Sequence, residues 1–230
     1  MATDGWLANA GAAAGLWWSG LAVLMAAGTL AAMALPSERV ETATVLDVWG
    51  KIKAPPPPIE PVRLVADTTA LLILDIEERT TNRKRRPRAV ASVPRIAGLP
   101  ARARAAGMPV VYSLTSKGTR RTILKEVTPR KRERVVKSSV DKFYGTQLET
   151  LLKKRGVKTV LIVGTSAEGA VLHTATGAAM RGFDVVVPID GMSSSEMYAE
   201  QYTAWHLVNA PGTRRRTRLT RIDMIQIGAK

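Results

Sequence analysis

The chain has 230 residues, 46% of them hydrophobic, and carries 34 Lys and Arg against 19 Asp and Glu, a formal net charge of +15. That length suffices for one α/β domain with a sizeable core plus an extension, and the positive balance favours anionic partners without bearing on the fold. No cysteine is present, which excludes disulfides, thiolate zinc sites and a cysteine nucleophile, and two histidines, His173 and His206, leave little for a histidine metal site.

Trp6–Pro36 is a run of 31 residues without a charged side chain, long enough to span a bilayer, for which roughly 20 apolar residues suffice. Ala32-Met33-Ala34 fits the small-x-small pattern of a signal-peptidase site. An n-region holding Asp4 and no Lys or Arg, with Trp6, Trp17 and Trp18 near an interface, also fits an uncleaved anchor. Residues 1–36 are therefore read as a signal peptide or membrane anchor. Export to the periplasm or beyond is the first expectation, and membrane anchoring is the alternative. Residues 37–66 are read as a short helix within Glu41–Lys53 followed by a linker around the extended Pro55–Pro58, and residues 67–230 as the folded domain.

Ala70–Leu74 is an unbroken apolar run, the mark of a strand buried on both faces of a parallel sheet, and Asp75 ends it. Arg79–Arg88 then holds six basic and no acidic side chains. Ser92–Ala106 has a helical pattern with Pro94 in its first turn, and Pro109–Leu114 is a second strand. Lys117–Lys137 carries nine basic residues against two acidic ones and leads into a short strand, Arg134–Val136, closed by Lys137. Phe143–Arg155 contains a helix with Leu148, Leu151 and Leu152 inward. Val160–Val163 is a strand that runs into the small-residue turn Gly164–Gly169 and a helix over Ala170–Met180. Phe183–Val187 is a further strand, Ser195–Val208 a helix, and Leu219–Ile227 a last strand. Alternating strands and helices predict an α/β fold: a three-layer α/β/α sandwich with a mainly parallel sheet of about six strands.

Ligands of open parallel sheets sit at the carboxyl ends of the strands. Asp75, Lys137 and the Gly164–Val171 turn all fall there, so one crevice can collect them. The backbone N–H groups at the start of the helix after Gly169 favour negative charge. Arg83–Arg88 follows Asp75 closely enough to attract a carboxylate-bearing substrate. Aromatic stacking positions and a reading helix are missing from the basic runs, so nucleic acid is not an expected partner.

The motifs LLILDIEE, KSSVDKFYGTQLETLL and GTSAEGAVLHTATGAAMRGFDVVVPID, in this order, resemble those of the isochorismatase-like, or cysteine hydrolase, family over roughly Thr68–Ile227. In that resemblance Asp75 is the general acid/base, Lys137 assists it, and Ala170 stands where the family has its cysteine nucleophile. A thiol-ester mechanism is thereby excluded; members that hydrolyse isochorismate are similar in lacking the cysteine and protonate a vinyl ether through the aspartate. The turn and the YAEQYTAWHL segment also resemble exported bacterial members. The resemblance implies a hydrolase that uses no cysteine, acts on a small anionic substrate, and self-associates as a homo-oligomer. Glu77, Phe143 and Gly169 are its substrate-binding candidates, with the Gly169 and Ala170 amides as an oxyanion hole. Glu77 stands where the family commonly has glutamine, and Asn82–Arg88 offers none of the metal-binding histidines of the nicotinamidase branch. The reading calls for no metal and no cofactor. A catalytically silent binding or assembly protein is the alternative.

Overall fold

The computed structural model describes residues 43–228; the expected leader over residues 1–36 lies outside them. Contacts divide the chain into two units, Met1–Ile52 and Lys53–Lys230. In the first, α1 (Val45–Val48) is a single turn closed by a Thr44–Asp47 capping box. The helix expected within Glu41–Lys53 is thus shorter than its pattern, and Val45, Trp49 and Ile52 are exposed. An apolar stripe without a surface to bury against does not extend a helix past its nucleus.

The second unit is built on one sheet. Strands β2 (Thr69–Leu74), β3 (Val110–Leu114), β4 (Arg134–Lys137), β5 (Thr159–Thr165), β6 (Asp184–Pro188) and β8 (Thr217–Thr220) lie in the order β4-β3-β2-β5-β6-β8. The short β7 (Met192–Ser193) pairs with the end of β5 to make seven strands. All pairings are parallel. Every residue of β2 is buried, as a central strand between two layers requires. Successive side chains point to opposite faces. Ala70, Leu72, Leu74, Val160 and Ile162 pack with helices α4 (Leu148–Lys154), α5 (Leu172–Met180) and α6 (Met197–Asn209). Leu71, Ile73, Leu161 and Val163 pack on the other side with α2 (Pro87–Ile96) and α3 (Gly98–Ala105). The chain has the three-layer α/β/α architecture its pattern predicts.

The helix expected over Ser92–Ala106 is two helices. The first begins earlier, with Pro87 at a position where its missing N–H costs nothing, and the second opens at Gly98 with Pro100 in its first turn. The single strand expected over Leu219–Ile227 is divided. Asp190 Oδ1 accepts the Ile222 N–H at 3.0 Å, and a 3-10 turn at Ile222–Met224 separates β8 from β9 (Ile225–Gly228). Strand β9 forms a separate two-stranded parallel sheet with β1 (Val62–Val65). Strand β1 lies within residues 37–66, so the folded unit begins ahead of the expected boundary at 67.

At the centre of the sheet Leu74 pairs with Gly164. Gly164 has φ +135°, and a side chain there would collide with the Leu74 carbonyl. The carboxyl ends of β2 and β5 therefore meet backbone to backbone, which only glycine permits at this φ.

Candidate active site

Asp75 follows β2 with φ +53°, in the left-handed region that aspartate tolerates better than most residues. The turn is held from several sides. The Asp75 N–H donates to the Ser113 carbonyl at 3.3 Å, the Ser113 hydroxyl donates to Asp75 Oδ1 at 2.6 Å, and the Thr80 hydroxyl donates to the Asp75 carbonyl. Lys142 Nζ donates to Asp75 Oδ2 at 2.7 Å. The side chains of this pair are 0% and 7% exposed for Lys142 and Asp75. Lys142 Nζ also donates to the carbonyls of Ser139 (2.6 Å) and Ser138 (3.3 Å), so its three donors have three acceptors. Burial pushes the Asp75 carboxyl above the usual carboxylate range, against the opposing pull of Lys142 and the Ser113 hydroxyl.

The lysine paired with Asp75 is therefore Lys142 and not Lys137. Lys137 ends β4 as expected, but β4 is an edge strand and the Lys137 side chain is exposed. Past it the chain folds back on itself, with the Ser138 hydroxyl donating to the carbonyls of Asp141 (2.8 Å) and Tyr144 (2.7 Å). This brings the residue five positions later under Asp75.

A cavity of about 290 Å³ opens beside the pair. Asp75 forms one part of its wall and Thr165, Ser166, Gly169 and Ala170 another, and Thr80, Thr115, Ser116, Ser138 and Ser139 line it too. The expected nucleophile position, Ala170, faces this cavity from a π-helical turn, Ala167–Val171, that leads into α5. Such turns are rare and concentrate at functional sites. Gly169 lines the cavity too, but its N–H donates to the Ser166 carbonyl at 3.2 Å, so it is not a free oxyanion donor. A side chain at Gly169 would place Cβ 2.7 Å from the Ser166 hydroxyl, so glycine leaves room for that hydroxyl.

Two other expected contacts lie elsewhere. Glu77 is fully buried and accepts from the Thr115 N–H (3.0 Å), the Thr115 hydroxyl (2.6 Å) and the Thr122 hydroxyl (3.0 Å). It ties the loop after β3 to the end of β2 and does not line the cavity. Phe143 is a core residue, stacked on Phe183 at 6.0 Å and covered by the Arg181 guanidinium 4.8 Å from the ring centroid.

The basic run after Asp75 divides by role. Arg79, Arg85 and Arg86 line the cavity, joined by Lys117, whereas Arg88 turns away to a two-pronged pair with Glu200, Nε to Oε1 at 2.8 Å. Arg86 is half-buried, and burial together with the Arg85 charge holds its guanidinium below the usual arginine range, against the pull of Glu168 and Asp75. Among the described residues no three His, Asp or Glu side chains gather to hold a metal ion, and no helix is long and apolar enough to cross a membrane.

This geometry has relatives. The model of the Isochorismatase domain matches residues 69–217. The chain belongs to the isochorismatase family. It is 35% identical over 118 residues to the secreted isochorismatase effector Isc1 of Verticillium dahliae, covering 46% of this chain and 62% of that protein. It is 37% identical over 68 residues to the uncharacterized isochorismatase family protein YecD of Escherichia coli O157:H7, covering 30% and 35%. The chain thus spans less than two thirds of the length of either curated relative. An isochorismatase family protein from Desulfovibrio vulgaris superposes with a TM-score of 0.61 at 26% identity, over 68% of this chain and 95% of that one. Members of this family are generally hydrolases, and in this one alanine occupies the turn where the family resemblance places the cysteine.

Proposed function

We propose that this isochorismatase-family protein is a hydrolase in which Asp75 and water do the work without a thiol, on a small anionic substrate. The observation that carries the reading is the buried Asp75–Lys142 pair, which opens on a cavity whose far wall is the turn at Ala170. A carboxyl raised by burial retains a proton closer to neutral pH, as a general acid must. Asp75 gives this proton to the substrate, as the bond to the leaving group breaks or a vinyl ether is protonated. The resulting carboxylate takes a proton back from the attacking water, whose hydroxide joins the electrophilic carbon. Lys142 holds the carboxylate in place and stabilises its charged form. The Ala170 N–H, in the first turn of its helix where backbone donors lack intrahelical acceptors, faces the charge that develops on substrate oxygen.

Replacing Asp75 by Asn keeps a side chain that tolerates the left-handed backbone and removes the transferable proton. The expected loss is about 10²–10⁴-fold in kcat/KM on whichever anionic vinyl ether, ester or amide the wild type hydrolyses. Turnover that persists in Asp75→Asn at wild-type rates would sink the assignment. A second reading, a silent binding or assembly protein on the same fold, is favoured by one fact: the position of the family nucleophile is alanine in a chain without cysteine. Folded wild type inert across that panel would favour it. Export is part of the proposal, supported by the apolar Trp6–Pro36 run and by a relative described as secreted. Detection of the chain outside the cytoplasm, cut near Ala34, tests it.

A further inference from the structure

Arg86 is the anomaly in the cavity. Its Nε is buried with no hydrogen-bond partner, although the guanidinium belongs to a wall built from polar groups. Buried polar groups are nearly always paired, and an orphan calls for an ion, a water or a ligand. The facing charges are known. Arg85 repels it, and Glu168 and Asp75 attract it. Neither carboxylate stands within ion-pair distance of Arg86 among the described residues; Asp75 is taken by Lys142, and Glu168 Oε2 is itself buried and unpaired. Arg88, two residues on, shows what this segment does with a structural arginine, since it is clamped by Glu200. Arg86 has been drawn out of water without such a clamp, beside Arg85, Arg79 and Lys117 on the same cavity.

We infer that Arg86 is the anchor for an oxyanionic group of the substrate, a carboxylate or phosphate, held in the cavity that Asp75 and Ala170 also line. This deepens the hydrolase reading and rests on it for the word substrate, but the binding claim stands alone. The planar guanidinium fork suits a two-oxygen acceptor, and Ser116 and Ser139, whose hydroxyls are not committed to other partners among the described residues, line the same cavity. The cavity volume lies at the low end of ligand pockets, which run from ~300 Å³ upward, so the anion is compact.

The test is calorimetric titration of the full chain with malonate, succinate and inorganic phosphate, and with neutral malonamide as control. It is run on wild type, Arg86→Ala, Arg86→Lys, Asp75→Asn and Arg83→Ala, the last a neighbouring basic residue outside the cavity wall. Saturable binding of at least one anion is expected, weakened tenfold or more in Arg86→Ala, partly restored in Arg86→Lys, and unchanged in Arg83→Ala. A preference for malonate over phosphate identifies the anchored group as a carboxylate, and the reverse as a phosphate. No saturable anion binding to wild type, or equal losses in Arg83→Ala and Arg86→Ala, would overturn the inference, the latter by showing only a general positive field. Binding through Arg86 that survives in Asp75→Asn, with no turnover in any protein, would leave this inference standing and remove the hydrolase reading.

Discussion

Lys142 and Arg86 are two cations withdrawn from water beside one cavity, and their surroundings differ in kind. Lys142 sits beneath the cavity with a carboxylate and two carbonyls for its three donors. Arg86 sits in the wall with a like charge beside it and a buried N–H that meets no acceptor. The first arrangement is complete within the folded chain; the second is completed by something that arrives from solution. A buried charge thus says little about function until its partners are counted. Satisfied, it positions a neighbouring group. Unsatisfied, it holds free energy in reserve for a ligand.

The comparison makes Lys142→Ala the most damaging change. It leaves Asp75 buried without its counter-ion, and a loss of about 3–5 kcal/mol is expected in urea unfolding. Pairing Lys142→Met with Asp75→Asn, which carries no charge and tolerates the left-handed backbone at this position, should recover much of that stability. A single-variant loss below about 1 kcal/mol would erase the contrast between the two cations.

A smaller effect appears as a slope. The folded pKa of Asp75 is raised by burial, so the folded state holds the proton more tightly than the unfolded chain. Its contribution to stability is full below the ordinary carboxylate range and is lost as pH rises through the folded value. Unfolding free energies measured from acid to neutral pH should show this decline in wild type and not in Asp75→Asn. Ser113→Ala removes a hydrogen bond to the charged form, should cost about 1 kcal/mol, and should move the decline to higher pH.

The smallest expected effect is the stability of Arg86→Ala, within about 0.5 kcal/mol of wild type, because no internal partner is lost. A cost of several kcal/mol, read from the same denaturation curves, would mean that Arg86 is structural and that the two cations are alike.

The layout of the sheet and two of its site elements could be read from residue order because they depend on short-range pattern. Five apolar residues ending at Asp75, and a strand running into Gly164, place both ends at the carboxyl edge of any parallel sheet. The lysine could not be read in the same way. Ending a strand puts Lys137 at the correct edge but does not say which way its side chain leaves, and on β4 it leaves into solvent. Lys142 reaches Asp75 through a reversal held by the Ser138 hydroxyl, a set of contacts with no periodicity to betray it. Arg86 was hidden by its setting among five other basic residues, since charge runs do not disclose which members find a partner. Glu77 and Phe143 have the composition of ligand contacts, but the tertiary structure spends them on the Thr115 and Thr122 hydroxyls and on Phe183.

Gly164 carries a consequence for how such a site can change over time. Because β2 and β5 touch there without an intervening side chain, the gap between Asp75 and the turn at Ala170 is set by two backbones. Residues around the pocket can be exchanged without altering that gap. The ruler of this site is a missing side chain, and chemistry can drift along it while the distance stays put.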